Sequence, residues 1–167
     1  MSTTFFKGKC QTFSSNKRFG LCDDPSPIKK PAYIDEMDGS KWIAVVHNDD
    51  LQSVIFTAID NCIDIRKEDG SMSKRCDGVL TYNTSIIFVE LKERKALGSA
   101  WVRDAEEQLR ATIVYFENTG EAEDFTTKKA YIANNEHPKF KESQTLRMEK
   151  FLIETGYILR IENRIIL

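Results

Sequence analysis

Three residues in the stretch RCDGVLTYNTSIIFVELK have the types and spacing for joint chemistry: Asp77, Glu90 and Lys92. If Asn83 and Thr84 are the two loop residues of a β-hairpin, Tyr82 faces Ser85 and, counting outward in step, Asp77 faces Glu90. Opposed residues point to one face of the sheet with Cβ atoms about 4.5–5.5 Å apart. Lys92, two residues past Glu90, shares that face. Two carboxylates so placed repel, and one of them would normally take up a proton. A divalent cation between them removes the penalty. Hard oxygen ligands suit Mg²⁺, which binds one or two carboxylates and keeps waters that a phosphate can displace. Lys92 would then orient a water or stabilise charge on a phosphoryl oxygen. An acidic-x-Lys triplet recurs at Glu93-Arg94-Lys95, so the triplet alone carries no information. Its weight comes from the apolar run Ile86-Ile87-Phe88-Val89 before it, the opposed Asp77, and the helix that follows. The bland alternative makes VELKER a strand running out into solvent.

Elements must hold these residues in place. Residues 1–40 are rich in Ser, Lys, Gly, Asp and Pro and show no lasting period, so they read as an irregular N-terminal arm with at most one short strand near Phe5. Residues 41–167 read as a single domain. From Trp42 two readings compete. One is a strand over 42–47, a turn at Asn48-Asp49 and a strand from Leu51 onward. The other is a helix capped by Asn48 with Leu51, Val54, Ile55, Ala58, Ile59 and Cys62 on one face. The Val, Ile, Phe and Thr content favours strands. KEDGS at 67–71 is a turn between the strand-like CIDIR and SKRCDGVLTY. Trp101, Ala105, Leu109, Thr112, Ile113 and Phe116 recur at helical steps and place a helix over 98–117. GEAEDF reads as a solvated loop and KKAYIAN as a strand. A helix over 143–155 turns Met148, Phe151, Leu152 and Thr155 inward, with Gly156 just past its end. YILRIENRIIL closes the chain as a last strand or hairpin. The fold class expected is α/β or α+β: one mixed central sheet flanked by helices.

An Asp opening one strand and Glu-x-Lys on the next strand of the hairpin resembles the PD-(D/E)xK nuclease superfamily, the restriction-endonuclease-like fold. Here those residues are Asp77 and Glu90-Leu91-Lys92, and Ala105 with Gln108-Leu109 is similar to the A-x-x-Q-L stretch of the following helix. The resemblance covers residues 60–116. It implies that Asp77, Glu90 and the Leu91 carbonyl bind Mg²⁺ or Mn²⁺, that Lys92 serves the attacking water, and that Gln108 approaches from the helix. It also implies cleavage to 5′-phosphate and 3′-hydroxyl ends, with self-pairing into a homodimer to cut both strands. Cys76 stands where the family has proline, and Thr112 where some members have tyrosine. For the family's extra upstream acid, Asp60 is the first substitute and Asp64 the second.

Composition bounds the partners. The chain has 167 residues, 24 Lys+Arg against 26 Asp+Glu and a formal net charge of −2, which excludes gripping a polyanion by net charge alone. Lys74, Arg75, Lys92, Arg94 and Lys95 could still meet a phosphate backbone once metal neutralises the acids. With only His47 and His137 there is no three-histidine zinc site, and Gly-rich phosphate loops and serine elbows are missing as well. His47 reads as a turn residue, and Trp101 and Tyr115 as core. No C-x-x-C pair links Cys10, Cys22, Cys62 and Cys76. No apolar stretch is long enough to span a membrane, and MSTTFFKGKCQTFSS is no secretory signal. Reduced thiols and a cytoplasmic location are therefore expected. The expected function is metal-dependent hydrolysis of nucleic acid, DNA ahead of RNA; the alternative is a catalytically inactive nuclease-fold module acting in binding or regulation.

Overall fold

A computed structural model of the chain describes residues 5–24, 29–93, 100–135 and 144–167. Those residues form β1 (Gln11–Ser14), β2 (Arg18–Cys22), β3 (Tyr33–Asp35), β4 (Ala44–His47), β5 (Val54–Ala58), β6 (Gly78–Tyr82), β7 (Ser85–Lys92), α1 (Ala100–Glu117), β8 (Thr127–Asn134), α2 (Thr145–Thr155), β9 (Ile158–Ile161) and β10 (Arg164–Ile166). The fold is mixed α+β. A six-stranded sheet runs β1-β5-β6-β7-β8-β9, and a four-stranded sheet runs β10-β4-β2-β3. The larger sheet is antiparallel from β1 to β7 and parallel from β7 to β9.

Period-two alternation sorts β7 between two cores. Ile86 and Phe88 join Val79, Ala130 and Ile132 under Leu109, Ile113 and Phe116 of α1. Ile87, Val89 and Leu91 join Leu80 and Tyr131 against Phe19, Leu21 and Val46 of the smaller sheet. Helices thus cover one face of the large sheet and the second sheet covers the other. A strand buried on both faces needs an apolar run rather than an alternating one, which is what Ile86–Val89 supplies.

The β6–β7 hairpin has the register that the turn implies: Tyr82 pairs Ser85, Thr81 pairs Ile86, and the ladder continues to Gly78 opposite Val89. Asn83 takes the left-handed conformation, φ 50°, which Asn tolerates, and its side chain bonds the Gln52 side chain at 2.9 Å. Strands win between the two readings after Trp42. Asn48, fully buried, closes the turn by donating to Asn16 and Gln52 carbonyls and accepting from the Gln52 N–H. The Lys67–Ser71 turn forms, with Gly70 at φ 86°. Helix α2 ends on Gly156 at φ 79°, whose N–H donates to the Leu152 carbonyl at 2.8 Å.

Several expectations need correction. Residues 1–40 are not an irregular arm, because they supply β1, β2 and β3 to both sheets. β1 pairs with β5 and β2 with β4, both beyond residue 40, while β2 and β3 pair with each other; β2 is buried at four consecutive positions, so no alternating period announces it. One sheet becomes two for the same reason. CIDIR forms only an isolated bridge, Arg66 to Met72. Residues 120–124 coil into a 3₁₀ helix that buries Ala122. The closing segment is no hairpin: β9 joins β8 in one sheet and β10 joins β4 in the other. Leu152 faces outward, and His47 ends β4 opposite Arg18 rather than sitting in the turn. The first residues expected in each helix, 98–99 and 143, lie outside the described residues. Cys10 and Cys62 are not reduced thiols but a disulfide with Cα atoms 5.9 Å apart, while Cys22 and Cys76 are free and buried.

Candidate active site

The ends of β5, β6 and β7 meet beside the N-terminal half of α1. Asp77 directly precedes β6 and continues the hairpin ladder opposite Glu90. Both carboxylates are buried, Asp77 at 7% exposure and Glu90 at 2%. The Leu91 N–H donates to Asp77 Oδ2 at 2.7 Å, which ties the Asp77 side chain across to β7. Lys92 Nζ stands 3.5 Å from Glu90 Oε1 and donates to Gln108 Oε1 at 3.0 Å. Gln108 Nε2 in turn donates to the Arg75 carbonyl at 3.3 Å. The amide of Gln108 therefore holds the ammonium from one end and the chain before Asp77 from the other. One helical turn on, Thr112 accepts from the Cys76 N–H and donates to the Gln108 carbonyl, both at 2.9 Å. Gly78 lets the Phe56 ring lie against the chain beside Asp77; a Cβ there would sit 2.2 Å from the ring.

Electrostatics single this corner out. Burial, and then the Asp77 charge, push the Glu90 carboxyl well above the usual carboxylate range. Burial raises Asp77 as well, partly offset by its contact with Glu90 and by the Leu91 N–H. Without a cation Glu90 is the partner that keeps a proton. Two desolvated carboxylates share one ammonium, and when Glu90 is ionised its buried Oε2 has no donor; the proton that Glu90 shares with Asp77 relieves this only by neutralising the pair. A buried acceptor left without a donor costs about 1–3 kcal/mol, and more when charged. An oxygen-seeking divalent cation answers both the repulsion and the orphaned oxygen, so the donor set fits Mg²⁺ or Mn²⁺.

The expected residues are distributed as follows. Asp77, Glu90, Lys92 and Gln108 come together. Leu91 contributes its N–H to Asp77. Asp60 lies at the rim, where Arg75 Nη2 holds its Oδ1 at 3.1 Å, and its charge reaches Asp77. Asp64 is elsewhere, paired with Arg66 at the surface. Among the described residues no three His, Cys, Asp or Glu side chains converge closely enough to hold a metal, so Asp77 and Glu90 stand as a two-carboxylate pair. Of the basic set, Lys74 bonds Glu107, and Arg75 and Lys92 are engaged as above; Arg94 and Lys95 lie outside the described residues.

One acid was missed. Asp23, just past β2, is pushed up to about 7, first by burial and then by the charges of Asp77, Asp60, Asp24 and Glu93. The second sheet carries it into the field of the site. Its sequence setting, DDPSP, offers no local cue, because only the β2–β4 pairing brings it there. Helical spacing turns Thr112 inward, but spacing does not reveal its clamp on the Cys76 N–H.

No family model, curated protein or solved structure matches this chain. No helix among the described residues is long and apolar enough to cross a membrane.

Proposed function

We propose that the chain is a metal-dependent nuclease of PD-(D/E)xK type, built on a restriction-endonuclease-like core, which hydrolyses phosphodiester bonds of nucleic acid, DNA ahead of RNA. The observation that carries this reading is the buried Asp77–Glu90 pair with one ammonium beside it and, when Glu90 is ionised, its Oε2 left without a donor. Asp77 and Glu90 would hold Mg²⁺ or Mn²⁺. When bound, the cation supplies neutralising charge and polarises a phosphate oxygen. Lys92, steadied by Gln108, presents its ammonium to the attacking water and to charge developing on the phosphorus oxygens. The Leu91 N–H keeps Asp77 turned toward β7. A second reading, a nuclease-fold module without catalysis, is favoured by the engagement of Asp60 with Arg75, which leaves two acids where a third would help.

Incubation with supercoiled, linear and single-stranded DNA in Mg²⁺ or Mn²⁺ tests the proposal. Chelator-sensitive cutting to 5′-phosphate and 3′-hydroxyl ends supports it; cation binding without cutting any of the three supports the module. The expected cytoplasmic location rested on reduced thiols, and the Cys10–Cys62 disulfide points instead to an oxidising compartment. Recovery from cells under alkylating conditions with the two cysteines still joined would support that compartment; recovery as free thiols would return the protein to the cytoplasm.

A further inference from the structure

The connection between β5 and β6, residues 59–77, doubles back on itself. Arg66 bridges Met72, the Ser73 N–H donates to the Ile65 carbonyl at 3.0 Å, and the Lys67–Ser71 turn closes the tip. Its two limbs line an open pocket of about 290 Å³ with Asn61, Cys62, Ile63, Asp64, Met72 and Arg75. The pocket adjoins the buried acids. Arg75 stands two residues before Asp77, its guanidinium holds Asp60, and the Ile59 N–H donates to the Asp77 carbonyl at 2.9 Å. The Cys10–Cys62 disulfide and the buried Ile63 fix the first limb to the core, so the pocket is preformed.

The lining divides by chemistry. Ile63, Cys62 and Met72 give apolar wall, and the Met72 thioether suits the face or edge of an aromatic ring. Arg75 Nη1 meets the Met72 sulfur at 3.8 Å, a weak acceptor that a carbonyl oxygen would better. Asp64 gives Oδ2 to Arg66, which leaves Oδ1 able to accept. The charges at and beside the pocket pair off, Asp64 with Arg66 and Asp60 with Arg75, so it offers a phosphate no excess of positive charge. A neutral, flat, polar-edged group fits it better. We propose that the pocket receives a guanine base of the nucleic acid, turned out of its stack beside the phosphate that is cut. This rests on the nuclease reading and names a feature of its substrate. The pairing edge of guanine carries a carbonyl oxygen next to two N–H groups. Arg75 Nη1 donates to the oxygen, Asp64 Oδ1 and the Asn61 amide oxygen accept from the N–H groups, and Met72 and Ile63 cover the ring. Adenine puts an amino group where guanine has the oxygen, and thymine offers one N–H instead of two. The two residues from Arg75 to Asp77 span at most about 7 Å, the scale of one nucleotide step.

Fluorescence anisotropy of short labelled DNA single strands on the whole chain tests this, with chelator present so that no cutting intervenes. A strand with one guanine among thymines should bind about tenfold more tightly than an all-thymine strand. Inosine, which lacks the amino group, should lose most of that gain. Asn61→Gly, which suits the left-handed backbone there (φ 63°), and Met72→Ala should each cut the preference about threefold or more. Ile153→Ala, exposed on α2, should leave it unchanged. All three sites are exposed, so each variant should keep the parent's melting temperature. Equal binding of the guanine and all-thymine strands overturns the inference, and so does a preference that survives both pocket variants. Cutting in Mg²⁺ that ignores guanine removes the pocket and leaves the nuclease reading standing. Guanine-dependent binding without cutting in any cation keeps the pocket and removes the catalysis.

Discussion

The two faces of β7 make the most instructive contrast in the molecule. Val89 and Leu91 point toward the second sheet and end in an apolar core. Glu90 and Lys92, their immediate neighbours, point toward α1 and end in a buried cluster of charge. Both faces are sealed from water, yet only one carries ionisable groups, and only at the end of the strand. Burying charge without full pairing costs stability. The apolar face shows that this fold can be closed without it. The charged corner is therefore where the fold forgoes stability, a cost that the proposed cation-dependent chemistry would explain.

The largest test of that contrast is on activity. Lys92→Ala should lower DNA cleavage by about 10²–10⁴-fold, the usual range for a proton-handling group. Titration with Mn²⁺ should still show binding, because Asp77 and Glu90 remain; cleavage unchanged by the substitution would remove Lys92 from the chemistry. Next come two substitutions on adjacent residues. Val89→Asp places an unpaired carboxylate in the apolar face and should cost more than about 3 kcal/mol in denaturant unfolding, or prevent folding altogether. Glu90→Gln should change stability without cation by less than about 1 kcal/mol, since burial already favours the neutral form of Glu90. Equal costs for the two would erase the distinction between the faces.

A smaller effect separates Asp77–Glu90 from the site's backbone. Gly78→Ala forces the Phe56 ring away from the chain and should destabilise by about 1–3 kcal/mol. The smallest is a slope with pH. Glu90 titrates above its unfolded range, so the folded state holds a proton that the unfolded state has already lost. Stability is therefore fully present below the ordinary Glu range and falls as pH rises toward the Glu90 value. The slope is at most about 1.4 kcal/mol per pH unit, the limit for one proton. The Glu90→Gln variant should lose the Glu90 part of that slope and keep the part due to Asp77, and cation binding, which expels the proton, should strengthen with pH.

What could be read beforehand was local. The Asn83-Thr84 turn set the hairpin register, the register set Asp77 against Glu90, and the 3.6-residue period of Trp101 to Phe116 laid α1 over them. What could not be read depends on distant partners. β1 pairs with β5 and β2 with β4, and neither strand alternates cleanly in polarity. The Cys10–Cys62 bond spans 52 residues and has no sequence signature. Asp23 reaches the field of the site only because β2 ends there. Lys92 and Gln108 were both expected near the site, but their hydrogen bond depended on the unseen packing of α1 against β7.

Calorimetric titration with Mn²⁺ addresses the central claim most directly. Wild-type chain should bind, with proton uptake by the buffer, while Asp77→Asn and Glu90→Gln, both still folded by circular dichroism, should show no heat of binding. Identical isotherms for all three, whether binding or silent, would contradict the assignment of Asp77 and Glu90 as the cation's ligands.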